Sequence, residues 1–364
     1  MNVGLIGCGG IANLHMKVLS RIENVKVVAV CDLNLERAKD IANRFNVKKT
    51  YTDYNELLRQ ESLGMVDICT PVSTHARIAS DVAEVVPAIF LEKPMAIDVH
   101  ECDEMIQTMK KHGTKLCVGH NQIFFPSIQK AKSLVDAGKY DLLSFRTSVR
   151  ENFELLKSYK LLADWMVTPS QRGMIWESCC HLAYLQLHFL PDIEEVYAVG
   201  GKTKYSVYDN FAVLLRTASD RFGQIELSWL PKETDIVYEA IDSRGKRLTI
   251  FRDFDYSHEN SALPPYTRRG VLSSFAADES RVLGKWLQFA SNYVHHRKLI
   301  PHLRLISCFI ASIQKNRPPP ITPEDGRNTI HLLECIEKSL MEKQPIRVRA
   351  SANRVTSTHA ELEA

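Results

Sequence analysis

Nowhere does this 364-residue chain run apolar for about eighteen residues, the length a membrane-spanning helix needs, so no membrane association is expected. An excess of one charge is also missing. The net charge is +3 and both signs are interspersed, which leaves no basic footprint for nucleic acid. Internal repeats are lacking, and Pro318-Pro319-Pro320 reads as a stiff connector. A disulfide framework is missing too. The nine cysteines are scattered through apolar runs, as at Cys31, Cys69, Cys117 and Cys308, and read as buried thiols of a reducing compartment. Cys179 and Cys180 precede His181, but with no second cysteine or histidine pair at ligand spacing, no metal site is expected. The first residues enter a strand at once and leave no room for a signal peptide, so a cytoplasmic location is expected. Composition agrees with a soluble enzyme and says little more, and the length is enough for two domains.

What is present is concentrated in the first thirty-two residues. The apolar run Val3-Gly4-Leu5-Ile6 leads into Gly7-Cys8-Gly9-Gly10-Ile11-Ala12, and a second run, Val25 to Cys31, ends on Asp32. This is the strand, glycine turn, helix and strand of a dinucleotide-binding unit in its G-x-G-x-x-A form. Gly7 permits the turn, Gly9 lets backbone approach the pyrophosphate, and Ala12 allows close helix–strand packing. The amides of Gly10, Ile11 and Ala12 open a helix whose partial positive charge suits phosphates. Asp32 lies about twenty residues beyond Ala12, where a carboxylate meets the adenosine ribose.

The first third alternates strand and helix patterns. Helices are predicted at Glu36–Phe45, Tyr54–Arg59, His75–Val85 and Val99–Lys111, and strands at Val66–Cys69, Ala88–Leu91 and Lys115–Gly119. That order implies a parallel, doubly wound Rossmann sheet, with the ligand beyond its carboxyl ends, where Gly7, Asp32, Thr70, Lys93 and His120 fall. After a helix at Pro126–Ala137, strands predominate: Leu142–Arg150, Glu194–Val199, Phe211–Thr217, Gly223–Leu230, Asp235–Asp242 and Arg247–Phe251. Turn signals between them indicate a large, mostly antiparallel sheet. One helix, Gly173–Leu190, interrupts them, and helices return at Glu279–His296, Leu303–Asn316 and Pro323–Met341. The fold class is therefore α/β, with a Rossmann domain at 1–122, a C-terminal α+β domain with an open sheet at 123–350, and a frayed tail at 351–364.

Thr70-Pro71 with His75, Glu92-Lys93-Pro94, Gly119-His120-Asn121 and the late Ile321-Thr322-Pro323-Glu324-Asp325-Gly326 recur in one order. Together they resemble the motifs of one oxidoreductase family, named for glucose–fructose oxidoreductase, inositol dehydrogenase and rhizopine catabolism (Gfo/Idh/MocA). The resemblance implies hydride transfer between a nicotinamide cofactor and a sugar or cyclitol carbon, and a C-terminal sheet used for oligomerisation. It also implies that Thr70, Pro71, His75, Glu92, Lys93 and Asn121 line the cofactor site.

Chemistry can be read from the residues beside that resemblance. Oxidising a secondary alcohol needs a base for the hydroxyl proton and a cation to steady the developing alkoxide. Lys93, fixed before a proline, supplies the cation. Glu177 and His181 are four apart, so a continuous helix sets the carboxylate to orient the imidazole as general base. Against the family pattern, Glu177 replaces aspartate, Cys179 replaces glycine, Tyr184 stands where a further aspartate is common, and Ile123 replaces an arginine. Arg172, just before the helix, reads as an exposed loop arginine able to stand in for it. These departures imply a divergent polyhydroxylated substrate. NAD is expected over NADP, because Asp32 repels a 2′-phosphate and only Arg37, pointing to solvent, lies nearby. A homodimer or homotetramer is expected because strands such as Phe211–Leu215 and Ile225–Leu230 are apolar on both faces, leaving Leu227 or Trp229 in need of cover. Two other readings stay open: a non-catalytic dinucleotide-binding sensor, and an NAD-dependent glycosidase of the same family.

Overall fold

The computed structural model describes residues 1–158, 164–169, 172–251, 256–260 and 299–348. Contacts divide them into two units, the first joining Met1–Asn121 to Leu299–His331, the second beginning at Gln122 and resuming at Leu332. The helix expected at Glu279–His296, most of the unpatterned stretch 254–278 and the tail from 351 lie outside the described residues.

In the first unit, β1 (Asn2–Ile6), β2 (Lys26–Cys31), β3 (Lys49–Tyr51), β4 (Met65–Ile68), β5 (Ala88–Leu91) and β6 (Lys115–Val118) form one sheet. Its order is β3-β2-β1-β4-β5-β6, every pair parallel. The expected doubly wound Rossmann sheet is therefore present. Strands covered on both faces have to be apolar throughout, and Ala88, Ile89, Phe90 and Leu91 are all fully buried. β3 carries only Lys-Thr-Tyr, too short a run to show a period. The crossovers are α1 (Ala12–Leu19), α2 (Leu35–Phe45), α3 (Tyr54–Gln60), α4 (His75–Ala83) and α5 (Val99–His112). Asn34 caps α2 by accepting from the amides of Glu36 and Arg37, which fixes the chain just after Asp32.

In the second unit, α6 (Pro126–Asp136) precedes β7 (Leu142–Arg150), α7 (Phe153–Ser158), α8 (Gly173–Glu177) and α9 (Cys179–Phe189). Then come β8 (Ile193–Gly201), β9 (Asn210–Thr217), β10 (Phe222–Ser228), β11 (Asp235–Asp242), β12 (Arg247–Phe251) and β13 (Tyr256–Asn260). With β14 (Ile346–Arg347) they form an eight-stranded sheet ordered β13-β12-β11-β7-β10-β9-β8-β14. Within this sheet, only β7 and β10 pair in parallel among the described strands. The sheet is mostly antiparallel, as expected. Its turns use left-handed backbone at Asp220, with φ +56°, and at Gly245, with φ +79°.

Two expectations fail here. The helix read as Gly173–Leu190 breaks at Ser178 into α8 and α9. Leu227 and Trp229, read as needing a partner, are 1% and 2% exposed within the chain itself. Strict alternation on β9 sends Phe211, Val213 and Leu215 inward and Ala212, Leu214 and Arg216 outward. The outer face carries Tyr197, Val199, Leu214 and Phe222 instead.

The last helices are α10 (Leu299–Gln314) and α11 (Pro323–Glu342). α10 packs on α1 and β5, with the Phe309 and Phe90 rings 6.2 Å apart. Contacts therefore assign residues 299–331 to the first unit, where sequence order had grouped them with the second. No described helix is long and apolar enough to cross a membrane.

Candidate active site

The glycine turn adopts the geometry that its residue types require. Gly7 has φ +94°, and a Cβ there would stand 2.7 Å from the Cys69 backbone carbonyl. At Gly9 and Gly10 a Cβ would meet nothing within 4 Å, so the turn faces open space at the opening of α1. Gly9, Gly10, Ile11 and Ala12 lead into α1 beside that space, where a pyrophosphate would fit, while the Gly7 amide is taken by the Cys31 carbonyl at 2.8 Å. The Asp32 carboxylate accepts from the Cys8 and Asn34 amides, both at 2.8 Å, and so ties the end of β2 to the turn.

The remaining cofactor candidates in this unit gather where β4, β5 and β6 end. His75 is buried, one ring nitrogen 2.9 Å from the Thr70 carbonyl and the other 2.9 Å from that of Pro94. Burial lowers its pKa. It clamps the Thr70-Pro71 end of β4 to the turn carrying Lys93, whose peptide to Pro94 is cis. The Lys93 amide donates to Glu92 Oε2 at 3.0 Å. Asn121 is buried and its Nδ2 lies 3.4 Å from His302 Nδ1. His120, also buried, is pushed down to about 3 by desolvation and is therefore neutral.

Beneath these residues lies a charged group that sequence reasoning missed. His15 on α1 is fully buried between two carboxylates, its Nδ1 2.9 Å from Asp67 Oδ2 and its Nε2 2.9 Å from Glu92 Oε1. Burial alone would lower the His15 pKa; the charges and hydrogen bonds of Asp67 and Cys69 override it and hold it well above the ordinary value. Burial would likewise raise Glu92, yet the His15 contact brings it down to about 2. The result is a buried imidazolium with a carboxylate at each nitrogen. His15, Asp67 and Cys69, and separately His15, Glu92 and His302, are close enough together to serve as metal ligands, and the ion pairs account for that closeness. The available signal was Asp67 itself, an acid in the apolar strand Met65-Val66-Asp67-Ile68, since an acid is almost never buried unpaired.

The second unit holds His181. Because α8 ends at Glu177 and α9 begins at Cys179, the four-residue spacing does not run along one helix. His181 Nδ1 is bonded to Tyr184 Oη at 2.8 Å. Tyr184 Oη also accepts the Gln122 amide at 3.0 Å, and Tyr238 Oη donates to Gln122 Oε1 at 3.1 Å. Cys179 is fully buried and Ile123 is 5% exposed, so both are core residues. Arg172 does sit in the turn before α8, but half-buried rather than exposed. Its guanidinium lies 3.9 Å from the Trp176 ring centroid and bonds Glu337 at 2.9 Å. Lys93 belongs to the first unit, His181 and Glu177 to the second.

Comparison with known proteins matches both halves. Residues 1–120 fit the family profile described as an oxidoreductase family with an NAD-binding Rossmann fold, and residues 128–247 fit the GFO/IDH/MocA C-terminal domain. The chain is 25% identical to myo-inositol 2-dehydrogenase of Thermotoga maritima over 362 residues, 96% of this chain and 98% of that one. It is 35% identical to an uncharacterized oxidoreductase, YrbE, of Bacillus subtilis over 136 residues, spanning 37% of this chain and 40% of that one. The scyllo-inositol dehydrogenase of Lactobacillus casei, crystallised with NAD(H) and scyllo-inositol, shares the fold with a TM-score of 0.75. That likeness covers 96% of this chain and 99% of that one at 17% identity.

Proposed function

Because the chain belongs to the Gfo/Idh/MocA family of oxidoreductases, we propose that it moves a hydride between a nicotinamide dinucleotide and a secondary alcohol or ketone carbon of a sugar, cyclitol or sugar derivative. The observation that carries this reading is the support built under one lysine. Lys93 stands at the end of β5 with its amide held by Glu92 Oε2, while Glu92 Oε1 is held by His15. A solvated surface lysine has no use for such bracing. The nicotinamide, when bound, supplies the hydride acceptor or donor. Lys93 steadies the oxyanion, His181 accepts the hydroxyl proton, and Glu177 adds a carboxylate on the helix before His181. Two full-length relatives, named for myo-inositol and D-apiose, favour a polyol substrate.

NAD is the proposed cofactor. Asp32 repels a 2′-phosphate, Arg37 is exposed on α2, and Leu33, 93% exposed, offers the adenine an apolar surface. Assembly is proposed as a homodimer or homotetramer through the outer face of the second sheet, in a cytoplasmic setting. The test is a spectrophotometric screen of cyclitols, sugars and sugar derivatives with NAD and with NADP. Reduction of NAD by at least one polyol is expected, and the Asp32→Ala variant should narrow the preference over NADP. Binding of NAD without turnover on any polyol would overturn the reading in favour of a sensor. Glycoside cleavage with copurifying, unconsumed NAD would favour the glycosidase.

A further inference from the structure

The break at Ser178 gives His181 a different partner from the one its spacing suggests. Ser178 accepts the His181 amide at 3.2 Å, so His181 sits in the first turn of α9, and Tyr184 follows three residues later on the same face. Their rings meet edge to face, with centroids 5.6 Å apart and planes at 79°. The Tyr184 hydroxyl is 2.8 Å from His181 Nδ1 and is fixed from the other side by the Gln122 amide. Tyr184 is 2% exposed, which holds its ring in place.

We propose that Tyr184 is the positioning residue of the general base, holding His181 in the tautomer that carries its proton on Nδ1. This rests on the reading of His181 as the base. Beyond the Gln122 amide, Oη keeps one O–H and one lone pair, so it can donate to Nδ1 or accept from Nδ1–H; a base whose lone pair is on Nε2 requires the second arrangement. With the proton on Nδ1, the lone pair is on Nε2, where the substrate hydroxyl proton must arrive. When that proton moves to Nε2 and the hydride leaves the substrate carbon for the nicotinamide, a carbonyl is left behind. Both imidazole nitrogens are then donors, and the Nδ1–H···Oη bond becomes charge-assisted. A neutral phenol thus does the orienting assigned to Glu177 by spacing. Gln122 is itself anchored, its Oε1 taking the Tyr238 hydroxyl proton on β11.

The experiment is long-range proton–nitrogen NMR of the full chain labelled on histidine nitrogen, with the His181 signals identified by their loss in His181→Asn. The unmodified protein is expected to show one His181 tautomer, protonated on Nδ1, and Tyr184→Phe is expected to average the two. In turnover of myo-inositol with NAD, Tyr184→Phe should lower kcat at least about 10-fold while KM and NAD affinity stay unchanged. In the His181→Asn background the same change should add no further loss. A wild-type Nε2–H tautomer, a spectrum unchanged in Tyr184→Phe, or additive losses would overturn the proposal. The wild-type spectrum decides whether or not Tyr184→Phe folds or myo-inositol turns over. Undiminished activity in His181→Asn would sink the base reading alone and leave the tautomer result standing.

Discussion

The proposed function divides the chemistry between Lys93 as cation and His181 as base, so Lys93→Ala and His181→Ala should each remove most turnover. His181→Ala should leave NAD affinity intact, as a fluorescence titration will show, and Glu177→Gln should be milder than either. The buried His15 makes a pH prediction. Its pKa is raised above 6.5, so its contribution to stability is complete below that pH and is lost as pH rises through the elevated value. Glu92 lies below 4.5, so its contribution is present above that pH and is lost toward about 2. The urea midpoint should therefore decline from pH 6.5 into the alkaline range. Asp67→Asn removes a main cause of the raised pKa and should flatten that decline. Asp32, Lys93 and the glycines were legible in the sequence because each occupies a fixed offset from a strand end. His15 was not, because its partners lie 52 and 77 residues away and only the folded sheet brings them to it.

Element by element, the longer strands of both sheets could be read from apolar runs and period-2 alternation, whereas β3, β13 and β14 could not. Nor could the break between α8 and α9. Met174, Ile175, Trp176, Cys179, Cys180 and Leu182 are all buried, an apolar pattern that passes across Ser178 without interruption. The first turn is the least replaceable element. An alanine at Gly7 would need both a backbone conformation at φ +94° and room that the Cys69 carbonyl occupies at 2.7 Å. Gly7→Ala should cost about 1–3 kcal/mol of stability and abolish NAD binding, measured by thermal unfolding with and without NAD.

For the molecule as a whole, the proposed assembly rests on the outward face of the second sheet. Val199 and Leu214 are each about half exposed, Tyr197 and Phe222 somewhat less, and all four project from one face. Beside them, toward β11, Arg146 bonds Glu226 and Glu239, both at 3.4 Å, which gives the face a mixed character suited to an isologous contact. Light scattering at micromolar concentration should find a dimer or tetramer, and Leu214→Arg should shift it to 41.4 kDa. An unmodified chain already at that mass would count against the assembly. Alternation located this face only halfway: it separated the two sides of β9 and β10 without saying which side turns inward.

The return of α10 to the first sheet has a consequence for biosynthesis. Phe309 meets Phe90, His302 meets Asn121, and the Ile321 carbonyl accepts the Val118 amide at 3.3 Å. The dinucleotide-binding unit is translated first yet completed only after most of the second unit has been made. A ribosome must add nearly two hundred residues after β6 before the partners of Phe90 and Asn121 emerge. Through that interval the nascent sheet exposes the surface that α10 later covers, and chaperone dependence should concentrate there.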